Sequence, residues 1–141
     1  MSFNNITDIA VSGMMAQRTR IAITASNLAN AETTRTAEGG AYRRRDPVFV
    51  AESPEGPFAE HLERELRAVR VASVAADSRD FIERIEPGHP DADENGVVRY
   101  PRINTVEEMT NLMSASRSFD ANLMMMGKVR QMSQAVLKIG G

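Results

Sequence analysis

The sequence of 141 residues predicts an α+β fold: two long terminal α-helices packed antiparallel as a coiled-coil-like domain, with a small β-rich insertion between them. Three features of the chain predict it. Apolar residues recur at steps of three and four near both ends, the spacing of one helix face. The middle changes to β-branched and aromatic residues in strand-like alternation. The first helical pattern then stops within one short string, Ala25 to Thr36, where amides and threonines displace the apolar residues. The expected division is 1–36 for the first helix of the helical domain, 37–103 for the β-rich insertion with its loops, and 104–141 for the second helix.

Residues 5–30 read as one helix. Ile6, Ala10, Met14, Gln17, Ile21, Thr24 and Leu28 keep the three-four spacing, and Asn5 with Asp8 can serve the exposed amides at the start. The seam is thin. Ala10, Gly13, Ala16 and Ala25 let another helix approach closely, while Gln17 and Thr24 suit a sealed intramolecular core poorly, which fits packing against several neighbours or a modest two-helix seam. Asn27 and Asn30 carry short amides that bond nearby backbone and tolerate left-handed geometry, so both favour a helix end. Thr33, Thr34 and Thr36 then favour extended chain.

Strands are expected over Ala41–Ala51 and Val69–Ala75, and two more over Phe81–Ile85 and Val97–Tyr100. Ser53-Pro54-Glu55-Gly56-Pro57 is a turn or loop. Leu62 and Leu66, with Glu60 to Arg64 and Glu63 to Arg67 at helical spacing, fit one or two turns of helix before the second strand.

The second helix is expected from 106 to 139. Thr105 as cap with Glu108 three residues on is a capping box; Glu107 and Glu108 suit the positive start, and Lys128, Arg130 and Lys138 the negative end. Met109, Leu112, Ser116, Phe119, Leu123 and Met126 alternate by three and four, and Val129, Met132, Val136 and Ile139 continue with two extra three-steps. Such a stammer overwinds a coiled coil. At 1.5 Å per residue the helices are roughly 39 and 51 Å long. Seams this lean leave each helix dependent on tertiary packing.

Composition removes several functions. Hydrophobic residues make up 42% of the chain but aromatics only 5%, Trp is absent, and nine Met with many Ala do much of the apolar work, a mix suited to helix seams and adaptable surfaces. A net charge of -2 gives no overall attraction to nucleic acid or anionic membrane, so Arg43-Arg44-Arg45 reads as a solvated strand face. Without cysteine there is no disulfide, thiolate nucleophile or zinc-thiolate site. The start Met1-Ser2-Phe3-Asn4-Asn5 lacks the features of a secretory signal, and no stretch approaches 18 apolar residues, which by sequence alone reads as cytoplasmic. No enzyme is expected. The histidines are His61 and His89 alone, Glu107 and Glu108 point apart on a helix, and Gly39-Gly40 is followed by Ala-Tyr rather than the Lys-Ser or Lys-Thr of a phosphate loop. Neither a cofactor nor a catalytic or metal-ligating set is expected.

One stretch invites a site. Asp91, Asp93, Asn95 and Gly96 match positions 1, 3, 5 and 6 of an EF-hand loop. Position 12, which needs a bidentate Glu, is Arg102; position 9 is Arg99; and Pro87, Gly88 and Pro90 exclude the entering helix. The stretch reads as a rigid polar turn. A cation-binding module built on the Asp91–Gly96 turn is the alternative, and a helical adaptor a third reading.

The string Ser26-Asn27-Leu28-Ala29-Asn30-Ala31 resembles the N-terminal signature of the bacterial flagellar rod and hook proteins. Thr33-Thr34-Arg35-Thr36, Gly39-Gly40, Tyr42-Arg43-Arg44-Arg45, the run Pro87-Gly88-His89-Pro90-Asp91-Ala92-Asp93-Glu94-Asn95-Gly96, and Val106-Glu107-Glu108-Met109 with Ser114-Ala115-Ser116-Arg117 and Ala121-Asn122 are similar to the FlgC type within the basal-body rod family. The resemblance spans residues 6–139. It implies a structural subunit of the proximal rod that polymerises through its terminal helices into part of the drive shaft and export channel. It also implies passage through the flagellar type III export apparatus without a cleaved signal, and a place in the periplasmic rod of the basal body. Self-association in a helical assembly, the other rod proteins and the membrane ring at the rod base are the implied partners, with no nucleic acid and no membrane insertion. The subunit interface is then expected at Ile6, Ala10, Gly13, Met14, Ile21 and Leu28 against Met109, Leu112, Phe119, Leu123, Met126, Val129, Met132, Val136 and Ile139.

Overall fold

The computed structural model describes residues 3–52 and 67–139, without the side chains of residues 3–5 and 139. The expected turn at Ser53–Pro57, the helical turns around Leu62 and Leu66, His61, and the interface role of Ile139 lie outside the described residues. The order is α1 (Phe3–Ala29), β1 (Arg45–Glu52), β2 (Ala68–Ala76), β3 (Ile82–Ile85), β4 (Val97–Tyr100) and α2 (Thr105–Ile139). This is the α+β arrangement, with the small β region between the helices. The strands form two separate antiparallel pairs, β1 with β2 and β3 with β4, and a bulge between Val48 and Phe49 shifts the first register. Among the described residues no helix is long and apolar enough to cross a membrane.

Small residues bring the two helices together. Ala10 and Ala16 on α1 and Ala115 on α2 are buried, and a Cβ added at Gly13 would meet Asn122 Nδ2 at 2.9 Å. Contacts run in opposite order along the pair: Asn27 meets Glu108, Arg20 Nη2 donates to Asn111 Oδ1 at 3.3 Å, and Gly13 meets Asn122. Thr24 is buried as well. That corrects the expectation for this residue, because its side chain is no larger than valine and fits a seam made of alanines. Gln17 Oε1 is buried without a hydrogen-bond partner among the described residues.

Both helix ends differ from expectation. α1 continues through Ala29, so Asn27 sits inside it. No non-glycine residue among those described has a positive φ. Asn30 instead ends the helix through its amide, whose Nδ2 donates to Ser26 O at 2.9 Å while Thr33 N donates to Asn30 O at 3.1 Å. At the start of α2 the cap is Asn104, not Thr105: Asn104 Oδ1 accepts from the amides of Val106 at 3.0 Å and Glu107 at 3.3 Å. Glu108 makes no capping box, because its carboxylate is turned into the protein.

The β1–β2 pair lies along α1, where Val69 N donates to Ser12 Oγ at 3.1 Å. β1 begins four residues after the expected start. Tyr42 and Ala41 are buried ahead of it, and Tyr42 N is taken by Thr33 O at 3.0 Å, so these residues anchor a loop and not a ladder.

Candidate assembly interface and its buried junction

The helix pair is held at one end by a polar junction. Asn27, 1% exposed, uses its full hydrogen-bonding capacity, two donors and two acceptor sites. Nδ2 donates to Arg45 O at 2.8 Å and Glu108 Oε2 at 3.1 Å, while Oδ1 accepts from Arg45 N at 2.9 Å and Tyr42 Oη at 3.1 Å. The amide thus pairs with the first residue of β1 as a neighbouring strand would, while fastening the root of α2. Glu108, also 1% exposed, receives Arg44 Nε on its other oxygen at 2.6 Å. Arg44 further pairs with Asp46. Burial alone would lower the Arg44 pKa, but the hydrogen bonds that Arg44 donates to Glu108 and Asp46 outweigh burial and hold the guanidinium above its ordinary value.

The three arginines therefore do not form one solvated face. Arg44 points inward to Glu108; the Arg43 guanidinium lies 4.3 Å from the centre of the Phe81 ring and donates to the carbonyls of Asp77 and Arg79; Arg45 lies over Tyr42. Extended chain turns alternate side chains to opposite sides, and the inward one has a buried carboxylate to neutralise it. The sequence does carry a signal for this. Glu108 stands at seam spacing with Leu112, Ala115 and Phe119, where a charge requires a partner.

A second tie joins the exit of α1 to the β3–β4 turn. Thr34 Oγ1 donates to Asp91 Oδ2 at 2.7 Å and Arg35 reaches Asp91 Oδ1 at 3.4 Å. The Thr34 hydrogen bond, with Arg35 adding to it, holds the Asp91 carboxyl below its ordinary range. Asp93 Oδ1 accepts from the amides of Asn95 and Val97, each at 2.8 Å. His89 Nδ1 accepts from Asp91 N and its ring meets Tyr100 edge-on. Gly96 closes the turn at φ 76°, with Pro87 Cγ 3.0 Å from where a Cβ would stand. Pro90 is exposed beside it. The carboxylates that would face a cation are engaged by Thr34, Arg35 and the turn's own amides. Among the described residues no three His, Asp or Glu side chains group for a metal ion.

The expected interface residues divide by burial. Ala10 and Val129 are buried within the chain; Ile6, Gly13, Met14, Ile21, Leu28, Leu112, Phe119 and Met126 are half-buried; Met109, Leu123, Met132 and Val136 are exposed. Among the positions that carry the family resemblance, Ser26, Asn27 and Leu28 lie in α1 and Ala29 ends it, Asn30 caps it, and His89, Pro90, Asp91, Asp93 and Gly96 belong to the turn. A further apolar set shares Met109 with the expected interface and adds three residues that were not expected there. With 3.6 residues per turn, Val106, Met113 and Met124 fall within about 60° of Met109 around α2, and all four are exposed. The three added residues are out of phase with the inner seam, so the spacing of a single stripe does not reveal them.

Two family models match the chain, and they fall on the two sides of the junction. The Flagella basal body rod protein model matches residues 8–35, and the Flagellar basal body rod FlgEFG protein C-terminal model matches 94–139. The class is that of the flagellar basal-body rod proteins. Similarity to particular relatives extends over nearly all of the chain. The flagellar basal-body rod protein FlgC of Salmonella typhimurium (strain LT2) is 39% identical over 140 residues, 99% of each chain. That of Borreliella burgdorferi is 37% identical over 142 residues, 94% of this chain and 93% of the relative. That of Aquifex aeolicus is 41% identical over 125 residues, 87% and 86%. The chain belongs to the FlgC family of flagellar basal-body rod proteins.

Proposed function

We infer that the chain is a structural subunit of the basal-body rod, in its proximal part, and that it works by polymerising through α1 and α2. The observation that carries this is the inversion of apolar residues on α2. The intramolecular seam is closed by alanines, whereas Met109, Met113, Leu123, Met124 and Met132 stand exposed on a helix of 35 residues. Met109, Met113 and Met124 share one side of the helix, and exposed apolar residues grouped in this way mark an interaction site. The opposed order of the contacts supports an antiparallel, coiled-coil-like pairing that neighbouring copies complete, with the β region as a separate outer layer. In this reading the packed helices form part of the drive shaft and surround an export channel. The chain reaches the periplasm through the flagellar type III apparatus without a cleaved signal, and meets the other rod proteins and the membrane ring at the rod base. Its work is mechanical; no reaction enters it. The test is deletion. Cells without the protein are expected to lack external filaments while the membrane ring still forms, and normal filaments in the deletion strain would refute the reading.

A further inference from the structure

Beside the buried seam, the outer face of α1 and the β1–β2 pair enclose a groove of about 530 Å³. Thr19, Ala22 and Ser26 are the small side chains of α1 that line it, with Met15, Ile23 and Val74 as apolar walls. Small residues spaced in this way admit the close approach of a helix. Two cations line the groove as well, Arg18 and Arg45. Neither has an ion pair with a carboxylate among the described residues, and the only ring contact of Arg45 is with Tyr42.

The exposed stripe of α2 has the complementary character. Asp120 falls within the arc of Val106, Met109, Met113 and Met124, between Met113 and Met124 along the helix. It too lacks an ion pair among the described residues, although Arg117 is three residues away. An apolar groove with two cations and an apolar helix face with one carboxylate, none of them ion-paired among the described residues, thus occur on different surfaces of one chain.

We propose that the groove between α1 and the β1–β2 pair receives the Met-bearing outer stripe of α2 from a second copy of this chain, with Asp120 of that copy set between Arg18 and Arg45. The contact is heterologous: each copy offers a stripe to one neighbour and a groove to another. Repetition gives an open helical array unless the rotation closes. The inference rests on the rod reading above and specifies which faces meet within it.

Because the chain has no cysteine, cysteine cross-linking reads the contact directly. An ion-paired arginine and aspartate stand further apart than a disulfide reaches, so cells whose only copy carries Arg18→Cys and Asp120→Cys are treated with a bis-maleimide that spans that gap, and their basal bodies are isolated and blotted. The expected result is a ladder of dimers and higher multiples that neither single variant gives. Presence of the chain in the basal bodies tests the rod reading separately. If it is present and no ladder forms, or if one single variant alone forms the dimer, the pairing of faces is refuted while the rod reading stands. Charge reversal gives a second arm should the double-cysteine chain not enter the basal body. Arg18→Glu with Arg45→Glu, and Asp120→Arg alone, are each expected to reduce the swimming ring in soft agar at least threefold, and their combination to recover most of it. No reduction, or no recovery, overturns the proposal.

Discussion

Replacing Asn27 with Ala removes four hydrogen bonds, but their cost is not four equal shares. Arg45 is exposed, so water can re-engage its backbone. Glu108 Oε2 and the Tyr42 hydroxyl stay in buried surroundings and lose a partner. A buried polar group left unsatisfied costs about 1–3 kcal/mol, more when charged, which places Asn27→Ala at about 3–5 kcal/mol. With a urea slope of about 2 kcal/mol per molar, the middle of the range for a small protein, the unfolding midpoint of the purified full chain should fall by about 1.5–2.5 M. Asn30→Ala is the internal comparison. It removes one bond to Ser26 O and the acceptor for Thr33 Oγ1 at the partly exposed helix end, and about 0.5–1.5 kcal/mol is expected. The measurement is urea unfolding followed by circular dichroism. If the two substitutions cost the same, or if Asn27→Ala costs under about 0.5 kcal/mol, the junction does not hold the fold and the reasoning fails.

Leu123 is 53% exposed and Val129 5%, so Asp at the two positions should act differently. Leu123→Asp should leave the monomer's unfolding midpoint nearly unchanged and abolish swimming, while Val129→Asp should cost several kcal/mol in the monomer itself; equal monomer stabilities would refute the assignment of seam and outer face. Asp77 is held at about 2, against an ordinary 3.8, first by its side-chain hydrogen bond with Arg79 and then by the Arg79 amide. Its contribution to stability is therefore present above the ordinary carboxylate value and lost as pH falls toward about 2, and carboxyl titration by NMR should show Arg79→Ala moving the midpoint back up; a wild-type midpoint near 4 would contradict the contact. Gly96→Ala forces a side chain into positive φ and against Pro87, with an expected loss of about 1–3 kcal/mol, measured by thermal unfolding; a neutral result would mean that the turn relaxes freely.

The helices were legible because their signal is periodic and local. The expected 5–30 and 106–139 became Phe3–Ala29 and Thr105–Ile139, and β4 kept its expected bounds. The junction was not legible from local rules. Asn27 reads as a helix-ending amide until its partners are known, and those lie 18 and 81 residues away along the chain. Thr105 and Glu108 have capping-box spacing, yet Asn104 supplies the cap because Glu108 is drawn to Arg44. For the Asp91 turn, the misfits at Arg99 and Arg102 argued against a calcium loop, but the actual partner, Thr34, comes from a segment 57 residues earlier. Chemistry and spacing identify the residues that must be partnered; only the fold says by what.

The Asn27–Glu108–Arg44 cluster also acts as a shear key. Alanine seams are smooth, and two such helices could slide by one turn, about 5.4 Å, at little cost in apolar contact. Sliding here would carry Glu108 away from Arg44 and Asn27 and leave a charge stranded in the protein, a penalty of about 3–5 kcal/mol for a broken buried pair. In a shaft that carries torque, load along the helices would meet this barrier in every subunit before any slip began. A single polar cluster at the root of the pair thus lets the rest of the seam stay thin, while larger apolar side chains of α2 stand exposed outside it.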